Sequence, residues 1–105
     1  MVPVIGNIVT LLAVDFGNPK TWTSVASTSN EQTITVPGLR TTDKIVGITK
    51  PTSQAGLAVG GGRVSAADTL AITFIASGGT VTPTANEVYT AIVARPENNI
   101  TDASA

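Results

Sequence analysis

The chain has 105 residues and a formal net charge of -1, and it contains neither cysteine nor histidine. This length suffices for one domain that buries roughly 65% of its unfolded surface without disulfides or metals. The missing residue types exclude thiolate nucleophiles and Cys/His zinc sites, and they remove the most common general base. The six lysines and arginines are scattered, so no basic stripe predicts binding to DNA or RNA.

The first predicted element is the apolar segment of residues 1–16, "MVPVIGNIVTLLAVDF". It is shorter than the roughly 20 residues that cross a bilayer, it has no positive n-region, and Pro3, Gly6 and Asn7 interrupt it. We therefore expect no membrane anchor or signal peptide here. The expectation is a strand buried on both faces, or an arm that becomes buried against a neighbouring subunit.

Residues 17–97 carry turn-forming residues at intervals of about ten, which is typical of a many-stranded antiparallel fold. In "EQTITVPG", Ile34 and Val36 alternate with Thr33 and Thr35, as in a half-buried strand. Thr, Val and Ile make up about a third of the chain and favour a pleated surface. The prediction is an all-β, single-domain antiparallel β-sandwich, jelly-roll or immunoglobulin-like, with seven or eight strands.

The segment "RVSAADTLAITF", from Arg63 to Phe74, has the clearest pattern in the chain. It predicts a tight hairpin in which Asp68 orders the turn. The residues expected in the core are Leu70, Ile72 and Phe74. Those expected to face outward are Thr69, Ala71 and Thr73.

The segment "TANEVYTAIVARPE" allows two interpretations. Thr84 followed by Glu87 is a capping-box pattern that would begin a helix. As a strand, the segment would place Val88, Thr90 and Ile92 on one face and Tyr89, Ala91 and Val93 on the other. The branched residues favour the strand, which we expect to end at Pro96. Residues 98–105 form a polar tail that is expected to fray unless a partner holds it.

No catalytic, cofactor-binding or metal-binding residue is predicted. The spacing of the acidic residues pairs none of them, and Asp43 and Asp68 lie in turns, where aspartate commonly has a structural role. The run "GGGR" is not followed by the Lys-Ser or Lys-Thr of a phosphate-binding loop. Among the aromatic residues, Trp22 is a candidate for an exposed contact or for packing over the edge of the core. The chain is therefore not expected to be an enzyme.

Three motifs carry a resemblance to a known group of proteins: "VPGL" followed by Asp43, "GGGRVSAADTLAITF", and "TPTANEVYTAIVARPE". The region 36–97 resembles small β-sandwich proteins of tailed bacteriophages, of the capsid decoration (cement) type. The resemblance implies a non-enzymatic virion protein, made in the host cytoplasm, that binds the major capsid protein on the outside of the shell. It also implies a trimer or a clasping dimer.

The composition points to self-association as well. With 42% hydrophobic residues, 12% charged residues and a mean hydropathy of +0.28, a small domain has few charges to cover its surface. We expect a homo-oligomer, with a homotrimer favoured over a dimer. The candidate interface residues are Val4, Ile5, Ile8 and Leu11 from the apolar segment, the aromatic Trp22 and Tyr89, and the cations Arg40, Lys44 and Arg63.

A second function stays open. A tail or fibre-associated module that binds a receptor or carbohydrate could use the same sandwich, with the loops "PGLRTTD" and "SGGTVTPT" at one end. Four aromatic residues are few for a sugar-binding platform but leave a protein receptor possible.

Overall fold

The structure is a computed structural model that describes residues 8–26 and 29–98. The strands are β1 (Ile8–Phe16), β2 (Ser29–Thr35), β3 (Lys44–Thr49), β4 (Leu57–Ala66), β5 (Thr69–Ala76) and β6 (Tyr89–Asn98). No helix occurs in the described part of the chain, which confirms the all-β prediction. All strand pairings are antiparallel.

The strand count is six, so the expectation of seven or eight strands is wrong for the described residues. The segments before β2 and before β6 carry strand-forming residues, but they meet at one isolated bridge between Val25 and Val81. Their amides donate to each other's carbonyls at 2.8 and 2.9 Å. Pro83, two residues after Val81, has no amide hydrogen to extend the ladder, so the bridge does not grow into a strand pair.

The six strands form two three-stranded sheets. Sheet I has the order β1-β6-β3, and sheet II has the order β2-β5-β4. The inner faces of both sheets share one hydrophobic core, an arrangement compatible with a β-sandwich. Residues 8–16, expected as a strand buried on both faces or as an arm, pair with β6 along their whole length. Burial on both faces is wrong for this strand, because Val9 and Leu11 on its outer face are exposed.

The centre of the core is a cluster of all four aromatic side chains. The ring of Trp22 lies 5.1 Å from that of Phe74 and 5.6 Å from that of Tyr89, and Phe16 packs 5.5 Å from Tyr89. Edge-to-face and tilted contacts at these distances are favourable beyond the area they bury. The segment that begins at Tyr89 is strand β6, which confirms the strand interpretation. The expected faces are confirmed as well, because Tyr89, Ala91 and Val93 are buried and Ile92 is exposed.

The hairpin between β4 and β5 is confirmed, and Asp68 does more than order its own turn. Asp68 has a φ of 60° and its carboxylate oxygen Oδ1 accepts a hydrogen bond from the amide of Gly38 at 2.8 Å. Its amide also donates to the carbonyl of Leu39. The turn is thereby joined to the β2–β3 connection.

Ala71 was expected to face outward, and it is fully buried. In the strand register it lies between Thr33 and Arg63, whose longer side chains cover its methyl group.

β6 continues through Pro96 to Asn98, so the expectation that Pro96 ends the strand is wrong. The pairing of β3 with β6 stops at Ala94, and beyond that point only β1 lies beside β6. A proline is tolerated there because one side of the strand is open and needs no amide hydrogen.

The two sheets are closed together on one side and open on the other. On the closed side β3 contacts β4, where Gly62 lets the side chain of Ile48 approach the backbone: a Cβ at Gly62 would lie 2.7 Å from Ile48 Cδ1. On the open side, β1 and β2 do not approach each other. A cleft of about 650 Å³ lies between them, with Phe16 and Ile34 among its lining residues.

Candidate interaction surface

The outer faces of the two sheets differ in chemistry. The outer face of sheet II is polar, and its strands present Glu31, Thr33, Thr35, Arg63, Thr69 and Thr73 there. The outer face of sheet I is apolar over most of its area. We define this apolar face by the residues Val9, Leu11, Ala13, Val46, Ile92 and Ala94.

The strand alternation and the register place these side chains together. In β1 the inward residues Leu12 and Val14 pack against the core, so Leu11 and Ala13 point outward. Leu11 is paired with Ala94 and Ala13 with Ile92 across the β1–β6 ladder. The register also shifts between Ile45 and Gly47 in β3, and the residue inside this bulge, Val46, is turned to the outer face.

The exposure of this face is large for apolar residues. Leu11 is 67% exposed and Val46 66%, while Val9 is 50% and Ile92 37% exposed. Scattered apolar residues on a surface are ordinary, but a contiguous group on one sheet face is typical of an interaction surface.

Polar residues border the apolar face at one end of the sheet and at the β3 edge. Thr90 Oγ1 donates to Asp15 Oδ1 at 2.8 Å, and Thr49 is paired with Thr90, so one end of the sheet carries a polar row. Lys44 lies beside Ala94 at the β3 edge and is exposed. An apolar centre with a polar rim is the usual anatomy of a protein–protein interface.

The structure places the predicted interface residues in different parts of the molecule. Leu11 and Lys44 lie together on the outer face of sheet I. Arg63 lies on the other sheet, where its Nε and Nη2 each donate to Glu31 at 2.8 Å. Arg40 is exposed in the β2–β3 connection. The predicted residues Val4 and Ile5 lie outside the described residues, and Ile8 begins β1 without a described side chain.

The prediction that Trp22 and Tyr89 anchor an interface is wrong for this structure. Trp22 is 2% exposed and Tyr89 is 0% exposed. Both rings fill the space between the sheets, where large aromatic side chains bury the most apolar area. Neither ring is available to a partner.

Four exposed residues of the apolar face were missed by sequence reasoning, namely Val9, Ala13, Val46 and Ile92. In β1 both faces are apolar, so a period of two does not tell which face is buried. For Val46, the bulge in β3 breaks the alternation. For Ile92, a signal was present, because it alternates with the buried Ala91 and Val93.

The carboxylates whose side chains the structure describes, five in number, all have structural partners. The pKa of the Asp43 carboxyl is held below its usual range mainly by hydrogen bonds from Arg95, with a further bond from the Arg40 amide at 2.9 Å. The pKa of Glu87 is lowered by hydrogen bonds from Lys50, at 2.8 Å, and from Thr52. The pKa of Glu31 is lowered by its hydrogen bonds from Arg63.

The other two of these five carboxylates, Asp15 and Asp68, accept hydrogen bonds from Thr90 and from the Gly38 amide. Over residues 8–26 and 29–98, no three acidic side chains come close enough to hold a metal ion. In the same part of the chain, no helix is long and apolar enough to cross a membrane. Within the described surface, the apolar face of sheet I is therefore the candidate functional site.

Comparisons of the chain with protein-family models, with curated proteins and with solved structures found no match.

Proposed function

We propose that the chain is a non-enzymatic structural protein of a tailed-bacteriophage virion. In this proposal it is made in the host cytoplasm, binds the major capsid protein, and decorates and stabilises the outside of the icosahedral shell. The apolar face of sheet I carries the proposal, because it supplies an adhesive surface, whereas the five carboxylates with described side chains all serve structural contacts. The sequence motifs that resemble decoration proteins point in the same direction.

A flat apolar face suits binding to a repeating lattice. Burial of apolar surface contributes about 25 cal/mol for each Å² removed from water. Leu11 and Val46 are the most exposed side chains of the apolar face, so they would bury the most apolar surface on binding. An oligomer that binds several copies of the shell protein at once gains affinity through effective concentration, so each single contact can be weak.

The topology supports a jelly-roll-like sandwich over an immunoglobulin-like one. The first three strands alternate between the sheets, with β1 and β3 in sheet I and β2 in sheet II. An immunoglobulin domain keeps its first two strands in one sheet. Jelly rolls are frequent in virus capsid proteins, which agrees with the proposed role by analogy of fold alone.

The alternative of a carbohydrate-binding fibre module has less support. Sugar platforms are built from exposed aromatic rings, and the four aromatic rings of this chain, on Phe16, Trp22, Phe74 and Tyr89, are all buried. The two loops expected at one end for a protein receptor begin at opposite ends of sheet II. The loop after β2 follows Thr35, which pairs with Thr69 at the start of β5, whereas residues 77–84 follow the end of β5. The location of the protein in the virion separates the two functions.

Two measurements test the proposal. Mass spectrometry of purified heads and purified tails should find the chain in the head fraction. Purified protein added to undecorated shells should co-sediment with them and raise their resistance to heat or low salt. Detection in tails only, or no binding to shells, would contradict the proposal.

A matched pair of variants tests the surface. Val46→Glu places a charge on the apolar face, and Ile75→Glu places the same charge on an exposed branched residue, 44% exposed, on the other sheet. Val46→Glu should weaken shell binding by about tenfold or more, because a buried charge without a partner is costly. Ile75→Glu should bind as the wild type does. Equal loss in both variants would show that the apolar face is not the contact surface.

A further inference from the structure

Five of the six lysines and arginines of the chain interact with another group of the same chain. These five are Lys20, Arg40, Lys50, Arg63 and Arg95. The sixth is Lys44, and over residues 8–26 and 29–98 no hydrogen bond or ion pair involves its ammonium group. Lys44 is exposed at the start of β3. Its charge is therefore available to a partner.

Lys44 lies at one corner of the apolar face. The next residue, Ile45, packs against the core, so the alternation of the strand places Lys44 on the outer side of sheet I. In the register Lys44 is beside Ala94, and Ala94 is beside Leu11 on the opposite edge strand. A positive charge that this chain does not neutralise thus borders the apolar residues.

A carboxylate without a cation lies at the diagonally opposite corner. Asp15 is exposed in β1 and points outward on the same side as Leu11 and Ala13. Its Oδ1 accepts a hydrogen bond from the Thr90 hydroxyl, and no cation among the described side chains pairs with it. The negative charge of Asp15 is therefore as available to a partner as the positive charge of Lys44.

The two charges are far enough apart to act separately. They lie on the two outer strands of sheet I, in the rows of Ala94 and Thr90, which are four residues apart along β6. At about 3.4 Å per residue along a strand and about 4.8 Å between strands, the two positions are about 17 Å apart. This exceeds the screening length of about 8 Å at physiological salt. The residues between the two corners are apolar, namely Ala13, Val46 and Ile92.

We propose that the apolar face docks on an apolar patch of the shell protein that places a carboxylate opposite Lys44 and a cation opposite Asp15. This inference rests on the proposed function and names the chemistry that the shell presents. Charge complementarity selects this partner, because a surface that covers the apolar face also covers its two charged corners, and like charges there would repel. A wholly apolar partner would desolvate both charges without compensation, which is costly.

The two charged corners fix the orientation of the bound chain. Burial of apolar surface is non-directional, so the apolar centre alone does not distinguish one orientation from another. A half turn about the normal of the face would bring Lys44 against the cation of the shell and Asp15 against its carboxylate. Charges at the rim of an interface set its register and the rate of association more than its affinity. Every copy therefore binds the shell in the same orientation.

The first experiment measures the affinity of the full chain for undecorated shells at low and at physiological ionic strength. Lys44→Gln and Asp15→Asn each remove one charge, and each should lower the affinity about two- to fivefold, as for other exposed ion pairs. The affinity of the variant that carries both changes should depend less on salt than that of the wild type. The control is Thr35→Glu, which changes the net charge as Lys44→Gln does, but on the outer face of sheet II, and should bind as the wild type does. Circular dichroism checks that all variants fold.

The second experiment identifies the group opposite Lys44 directly. A carbodiimide joins a lysine amine to a carboxylate where the two are in contact and adds no spacer between them. Decorated shells treated with this reagent should yield a peptide in which Lys44 is joined to an aspartate or glutamate of the shell protein, detected by mass spectrometry. Lys50 is the internal control, because Glu87 holds its ammonium group at 2.8 Å, and it should yield no peptide joined to the shell protein.

The outcomes separate this inference from the proposed function. Shells that do not bind the wild-type chain would overturn both. If Val46→Glu weakens binding, but Lys44→Gln and Asp15→Asn bind as the wild type does and Lys44 yields no peptide joined to the shell protein, this inference alone is overturned. A dimer of the purified chain in which the carbodiimide joins Lys44 to Asp15 of a second copy would also overturn it, because a second copy would then occupy the apolar face.

Discussion

Arg95 holds Asp43 by two parallel hydrogen bonds inside the protein. Its Nε donates to Oδ1 at 2.9 Å and its Nη2 donates to Oδ2 at 2.7 Å. Nη2 also donates to the carbonyl of Gly38 at 2.7 Å. Since the Asp43 side chain is 0% exposed and the Arg95 side chain 17%, the pair is sheltered from water. It ties the β2–β3 connection to β6.

Loss of the Asp43 carboxylate should strongly destabilise the fold. Asp43→Ala removes both hydrogen bonds that the guanidinium of Arg95 donates to the carboxylate, and it removes the bond from the Arg40 amide. Removing one member of a buried ion pair typically costs about 3–5 kcal/mol. Urea unfolding followed by tryptophan fluorescence would measure the change, because the single Trp22 lies in the core.

The control for this variant is Glu31→Gln, which breaks a pair of the same bidentate geometry on the outer surface. The side chains of Arg63 and Glu31 are 63% and 38% exposed, so water replaces the lost hydrogen bonds. Its effect on the free energy of unfolding should be much smaller than that of Asp43→Ala. A similar loss in both variants would contradict the role given to burial.

Acid should weaken the protein through Asp43. Hydrogen bonds from Arg95 hold the native pKa of Asp43 below the unfolded value, which is about 3.9. The unfolded chain therefore takes up the proton first as the pH falls. The stabilisation is complete above about pH 5 and is lost as the pH falls through the native pKa. Urea midpoints between pH 7 and pH 2 should fall at the acid end, and the fall should be shallower in Asp43→Asn.

Alkaline titration should report on Tyr89 alone. It is the only tyrosine in the chain, so the absorbance of tyrosinate near 295 nm is specific. Burial raises the pKa of Tyr89 to about 12, and the nearby charge of Glu87 adds to this effect. Because the unfolded value is about 10, the contribution of Tyr89 to stability should be constant below about pH 10 and should decrease from there towards pH 12. A tyrosinate midpoint near 10 in the folded protein would contradict the buried position.

Removal of the Tyr89 hydroxyl should not destabilise the protein. The hydroxyl oxygen is buried without a hydrogen-bond partner, so Tyr89→Phe removes a polar group whose desolvation is uncompensated. The free energy of unfolding should stay equal or rise by up to about 1 kcal/mol. The alkaline loss of stability should disappear in the same variant. A loss of more than about 1 kcal/mol would instead indicate that a buried water or another group binds the hydroxyl.

Gly17 should tolerate no side chain. Its φ is +105°, and a Cβ there would lie 2.7 Å from the carbonyl oxygen of Glu87. Gly17→Ala should therefore cost about 2 kcal/mol or more. Gly47→Ala is the control, since a Cβ at Gly47 meets nothing within 4 Å. That variant should unfold within about 1 kcal/mol of the wild type, and a matching loss at both sites would argue against the close approach at Gly17.

Much of the local structure could be predicted from the residues alone. The β4–β5 hairpin, the burial of Leu70 and Phe74, and the strand around Tyr89 all follow from alternation and turn chemistry. These signals are local, because the side-chain period of a strand and the preference of Asp68 for a turn act within a few residues. The bulge at Val46 is also a local feature, but the alternation of apolar and polar residues in the sequence does not predict it.

Only the tertiary structure decided where the strands lie and which of their faces are covered. β1 is apolar on both faces, so its pattern is the same whether Leu11 or Leu12 points inward. The neighbours of β1 settle this, and β6 comes from the other end of the chain. Arg95 and Asp43 are likewise 52 residues apart in sequence. Contacts between distant residues depend on how the sheets assemble, and so the apolar face of sheet I follows from the fold and not from any single segment.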